Sequence, residues 1–148
     1  MFTVDEIKVL DAAASIIKSK IKTRDVLNNP EITKQFLQYK MAYLEHEVFG
    51  VIFLNTQHEV IEYKELFRGT LDSASVYPRE VVKETLNYNA AAVIFAHNHP
   101  SGVAEPSEAD RRITERLQSA LRFIDVSVLD HIVIGLSETV SFAKRGWL

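Results

Sequence analysis

Apolar residues recur at helical spacing from Thr3 to about Lys18, where Ile7, Leu10, Ala14 and Ile17 fall on one face. Thr3 and Glu6 have the spacing of a capping box, so a first helix starts there. The polar stretch from Lys20 to Asn29 reads as a linker, and Asn29-Pro30 offers an N-cap and first helical residue for a second helix reaching about Tyr43. Residues 1–24 are therefore expected to be an N-terminal helix and linker, and residues 25–148 the main domain. Glu47 to Leu54 and Glu59 to Phe67 are rich in β-branched and aromatic residues, and the polar Asn55-Thr56-Gln57-His58 between them predicts a hairpin. Pro78 to about Asn87 fits a helix. Ala91 to His97 is a continuous apolar run of the kind found in a central strand, ended by Pro100-Ser101-Gly102. Ser107 to about Phe123 is a charged helix with Ile113, Leu117, Ala120 and Leu121 on one face, and Val126 to Ile134 and Thr139 to Phe142 close the chain as strands. This alternation predicts an α/β fold, a mixed, curved β-sheet flanked by helices. Strand order does not follow from the pattern.

Composition narrows the chemistry. With 148 residues, 47% of them hydrophobic, the chain fits one domain with a real core. Its net charge of −3 lacks the basic surplus that phosphate-backbone binding requires, so nucleic acid is not the expected partner. The N-terminus carries acids where a signal peptide carries bases, and no apolar run approaches the roughly 20 residues that span a bilayer. A cytoplasmic protein without membrane attachment is expected. There is no cysteine, which removes disulfides, thiolate ligands and a cysteine nucleophile. Any metal must be held by histidine and carboxylate.

The stretch from Ala96 to Asp110 carries the chemistry. In a strand, residues two apart share a face, so His97 and His99 present two imidazoles together while Asn98 turns away. Asp110 lies three residues after Ser107, a predicted N-cap, and so in the first turn of a helix whose dipole favours its ionised form. Three such ligands leave a fourth tetrahedral position for water, the arrangement of a catalytic zinc site. Zinc there would lower the pKa of that water to about 7 and polarise a carbonyl. Each part has a plainer reading: His97 and His99 as hydrogen-bonded histidines, Ser107 with Asp110 as a cap, Glu47 as a solvated strand-end charge. Asp130 and His131 point to opposite strand faces, so at most one could orient a zinc ligand, and a satisfied core polar residue explains them equally. His46 and His58 are expected to be exposed. Arg111, Arg112 and Arg116, with Glu108 and Glu115, read as a solvated helix face.

Glu47, His97-x-His99-Pro100, six residues, Ser107, two residues and Asp110 together resemble the JAMM (JAB/MPN) motif of metallopeptidases. Tyr77-Pro78-Arg79-Glu80, His97-Asn98-His99-Pro100-Ser101-Gly102, Pro106-Ser107 and Leu129-Asp130-His131 are similar to the RadC branch, from about residue 25 to the C-terminus. The resemblance implies a fold with cytidine-deaminase-like layering and a zinc peptidase acting on a peptide or isopeptide bond of a protein substrate. It implies that His97, His99 and Asp110 bind zinc, that Glu47 is the general base and that Ser107 holds the developing oxyanion. Glu45, two residues away on the same strand face, stays an alternative to Glu47. Longer RadC proteins carry a helix-hairpin-helix region for which this chain has no room. The alternative function is a zinc-stabilised, non-catalytic binding module linked to DNA repair or stress. Oligomeric state is not legible.

Overall fold

The protein was analysed as a computed structural model, which describes residues 1–22, 25–26, 29–70 and 75–148. Its elements run α1 (Val4–Ile21), α2 (Pro30–Met41), β1 (Val48–Leu54), β2 (Val60–Arg68), α3 (Pro78–Asn87), β3 (Ala92–Asn98), α4 (Glu108–Arg122), β4 (Ser127–Ile134) and β5 (Thr139–Ser141). The five strands form one open mixed sheet in the order β2-β1-β3-β4-β5, flanked by helices, as the pattern predicts. β1 lies antiparallel to both β2 and β3, β3 and β4 are parallel, and β5 returns antiparallel to β4. The parallel pair is joined by α4, the crossover such a pair requires.

β1 and β3 are buried along their whole length because both faces of the sheet are covered. Val48, Ile52, Leu54, Ile94 and Ala96 face α1 and α2, where Ala14, Ile21, Phe36, Leu37 and Met41 meet them. Phe49, Val51, Phe53, Val93 and Phe95 face α3 and α4, against Val81, Ile113, Leu117 and Leu121. His97 continues this second row, so the sheet's alternation aims it at α4.

Three expectations are corrected. The first helix runs to Ile21, since Ile21 extends the apolar stripe and is buried. Lys20 and Ile21 are thus helical, while residues 23, 24, 27 and 28 of the expected linker lie outside those described. The second helix stops at Met41, and Tyr43 beyond it sends its hydroxyl to Asp11 Oδ1 at 2.8 Å, tying the end of α2 to α1. His58 is half-buried rather than exposed, with φ of 60° in the hairpin turn.

Candidate metal centre

The centre sits where β3 ends and α4 begins. Ser107 caps α4: its Oγ accepts the Asp110 N–H at 3.1 Å, and its own N–H donates to Asp110 Oδ2 at 2.8 Å. This reciprocal pair turns the Asp110 carboxylate back toward the strand end. Both histidines are held from behind. His99 donates its backbone N–H to Ile134 O at 2.9 Å, and its ring Nδ1 faces Val103 O at 2.9 Å. Since a carbonyl only accepts, His99 Nδ1 carries the proton and Nε2 presents a lone pair. His97 Nδ1 lies 2.7 Å from Nε2 of His131, a fully buried ring stacked on Phe142.

His97 Nε2 and His99 Nε2 are 3.0 Å apart, and each is 3.2 Å from an oxygen of Asp110, His97 from Oδ1 and His99 from Oδ2. A tetrahedral zinc ion with bonds of about 2.0–2.1 Å separates its ligand atoms by about 3.3 Å. This triangle of side chains places each imidazole on its own carboxylate oxygen, and one ligand atom from each of the three residues lies within 4.8 Å of the others, close enough to share a metal ion. Among the described residues this is the one group of three or more histidine or carboxylate side chains whose ligand atoms converge to hold a metal ion. The donor set, two imidazoles and a carboxylate, suits a divalent cation of zinc's kind.

Electrostatics point the same way. Burial opposes ionisation of Asp110, but the facing imidazoles of His97 and His99 and the Ser107 N–H outweigh it and hold the carboxyl far below its usual range. The Asp110 carboxylate raises His99 above its ordinary value against burial, helped by the Val103 carbonyl and by the charge of Glu47. An acidic hole between lone pairs attracts a cation, a proton or a metal.

Glu47, half-buried just ahead of β1, is brought to this site by Asn98. Asn98 Oδ1 accepts the Val48 N–H at 2.7 Å, and Nδ2 donates to His46 O at 3.0 Å and to Leu44 O at 3.4 Å. The peptides on both sides of Glu47 are thus pinned by the residue between the two histidines. Glu45 is exposed, and it is the charge of Glu47 that bears on His99. An open groove of about 450 Å³ runs past Glu45, His46, Glu47, Gly69, Thr70 and Pro100.

The loop from His99 to Ser107 is fastened from outside. Gly135 lets it approach β4, because a Cβ there would meet Gly102 O at 2.5 Å and Ala104 N at 3.1 Å. Glu105 receives both arms of Arg145 at 2.7 Å. Arg111, expected on a solvated face, instead lies over the Trp147 ring at 4.3 Å, opposed by Arg145 at 5.0 Å.

Sequence reasoning left His131 undecided. In the sheet Phe95 pairs with His131 and His97 with Val133, so His131 shares the face of Phe95 and His97. Asp130 goes to the other face, where it accepts from Ser141 Oγ at 2.6 Å and from Ala143 N at 2.9 Å. Only a known strand register separates the two. Thr114, one helical turn after Asp110, was also overlooked; its hydroxyl donates to Asp110 O at 2.9 Å and meets His131 Nδ1 at 2.5 Å.

Comparison with known proteins adds to this geometry. A sequence model of the RadC-like JAB domain matches residues 27–147. A UPF0758 protein of Vibrio cholerae is 59% identical over 143 residues, covering 97% of this chain and 90% of the relative. UPF0758 proteins of Shewanella baltica and Shewanella denitrificans are 56% and 57% identical, and this chain spans 61% and 64% of their lengths. No helix among the described residues is long and apolar enough to cross a membrane.

Proposed function

The chain belongs to the family of RadC-like JAB domains, and from that premise we propose that it is a zinc-dependent metallopeptidase cleaving a peptide or isopeptide bond. The observation that carries this reading is the convergence of His97 Nε2 and His99 Nε2, 3.0 Å apart, on the two oxygens of the Asp110 carboxylate at 3.2 Å each, with the charge of Glu47 bearing on His99. In it, His97, His99 and Asp110 would hold the ion. When bound, zinc would supply Lewis acidity for a carbonyl and for an attacking water.

The chain's own residues do the rest. Glu47 takes a proton from the attacking water at its carboxylate and returns it to the leaving amine. The backbone on both sides of Glu47 is fixed by Asn98, which sets the point from which the base projects. Ser107 Oγ accepts from the Asp110 N–H, so its hydroxyl proton is available to donate to an oxyanion. The open cavity of about 450 Å³ beside Glu47 and Pro100 gives a polypeptide segment room to approach the base. The catalytic unit is residues 25–148, with residues 1–24 as an N-terminal helix and linker, and its setting is cytoplasmic.

The test is turnover of peptide and isopeptide libraries by zinc-loaded protein, with Glu47→Gln as the control. Cleavage by wild type and its loss in Glu47→Gln support the reading. Stoichiometric zinc with no amide turned over would instead identify a zinc-stabilised binding module.

A further inference from the structure

Resting on the metal-site reading above, we propose that His131 and Thr114 are positioning residues that set the ring tautomer of His97, keeping its Nε2 free of a proton. The chain of contacts starts at an atom that can only accept. Asp110 O takes the Thr114 hydroxyl proton at 2.9 Å. Thr114 Oγ1 has then spent its one proton and offers lone pairs to His131 Nδ1, 2.5 Å away, so that contact is a hydrogen bond only if Nδ1 bears the proton.

His131 is fully buried, stacked on Phe142 with ring centroids 4.6 Å apart and edged by Phe49 and Phe95 at 5.6 and 5.9 Å. A ring enclosed this way, with none of its surface open to solvent, holds no net charge and so carries a single proton. With that proton on Nδ1, its Nε2 is an acceptor. His97 Nδ1, 2.7 Å away, must donate to it, and His97 Nε2 is left bare toward the triangle. The chain closes on itself: it begins at the main-chain oxygen of Asp110 and ends with His97 Nε2 3.2 Å from Oδ1 of the same residue.

His99 achieves the same result with one backbone carbonyl. His97 lies too deep in the sheet for that and uses two side chains. With both Nε2 atoms bare and the carboxylate ionised, the two nitrogen lone pairs face each other and each faces an oxygen of Asp110 with no hydrogen between them. That arrangement is repulsive until a cation enters, and it is prepared for one.

Thr114→Val keeps the shape and removes the hydroxyl. His131 Nδ1–H then has no acceptor, the ring moves its proton to Nε2, and His97 is driven to carry its own on Nε2, where it obstructs the metal. Zinc affinity, measured by competition with a chromogenic chelator, is expected to fall by about 10- to 100-fold. Thr114→Ser should restore it. Side-chain nitrogen spectra of metal-free protein at alkaline pH should show His97 protonated at Nδ1 in wild type and Thr114→Ser, and at Nε2 in Thr114→Val. A merely structural role would lower the melting temperature of Thr114→Val without moving the tautomer. Wild type with His97 protonated at Nε2, or Thr114→Val with wild-type affinity and tautomer, would overturn the proposal. The spectra need no metal, so they decide it even if wild type takes up no zinc, a result that would sink the metallopeptidase reading instead.

Discussion

Asp110 belongs to two structures at once: Oδ2 takes the Ser107 N–H at 2.8 Å as half of a helix cap and faces His99 Nε2 at 3.2 Å. Ser107→Ala therefore removes a cap and an oxyanion donor together. It should cost about 1 kcal/mol of stability and about 10²- to 10³-fold in turnover, read by thermal melting and by assay on a library substrate. Glu47→Gln is nearly isosteric and, in this reading, Glu47 is not itself a ligand, so the variant should keep zinc and melting temperature while losing about 10²- to 10⁴-fold in rate. Glu45→Gln is the control; if it alone were inactive, the base would be the other glutamate. The candidate ligands were legible because their settings are local: His97 and His99 two residues apart at a strand end, and Asp110 three residues after its cap Ser107. Glu47 against Glu45 was not, since the sequence put both on one strand face, whereas both precede β1, Glu45 exposed and Glu47 half-buried with its flanking peptides gripped by Asn98, about fifty residues away in sequence.

Elements whose residues are covered on one stripe were readable to within a few positions, as α3 and α4 show. The limits of α1 and α2 were not, because tertiary contacts set them: Ile21 enters the core and Tyr43 leaves its helix for Asp11. Burial, with the Asp11 hydrogen bond adding to it, pushes the Tyr43 phenol up to about 12. An unfolded tyrosine titrates near about 10. The folded chain therefore keeps this proton longer, and the stability it contributes is whole below pH of about 10 and is lost as pH rises toward about 12. Tyr43→Phe should lack that part of the alkaline decline in melting temperature; an unchanged profile would deny the tether. Gly135 acts between β4 and the loop carrying His99. Gly135→Ala forces a Cβ against Gly102 O, expected to destabilise by about 1–3 kcal/mol and to weaken zinc binding, whereas a melt and metal affinity equal to wild type would show the loop free to yield.

Across the whole molecule, the layout of helices and strands was legible but the strand order was not. Pairings such as Phe95 with His131 join residues far apart in sequence, and no local pattern encodes them. That order puts the candidate metal centre at one end of the sheet, outside the two apolar clusters that cover its faces. The fold should accordingly survive loss of the metal and gain from its presence, with zinc at 100 times its dissociation constant adding about 2.7 kcal/mol of stability. The most direct test of the account is the zinc content of protein purified without chelator, for wild type, His97→Ala, His99→Ala and Asp110→Ala, each with its circular dichroism spectrum. The account predicts one zinc per wild-type chain and almost none in the three variants, all of them folded. A folded wild type without zinc even after loading, or His97→Ala and His99→Ala proteins that keep a full equivalent, would contradict it.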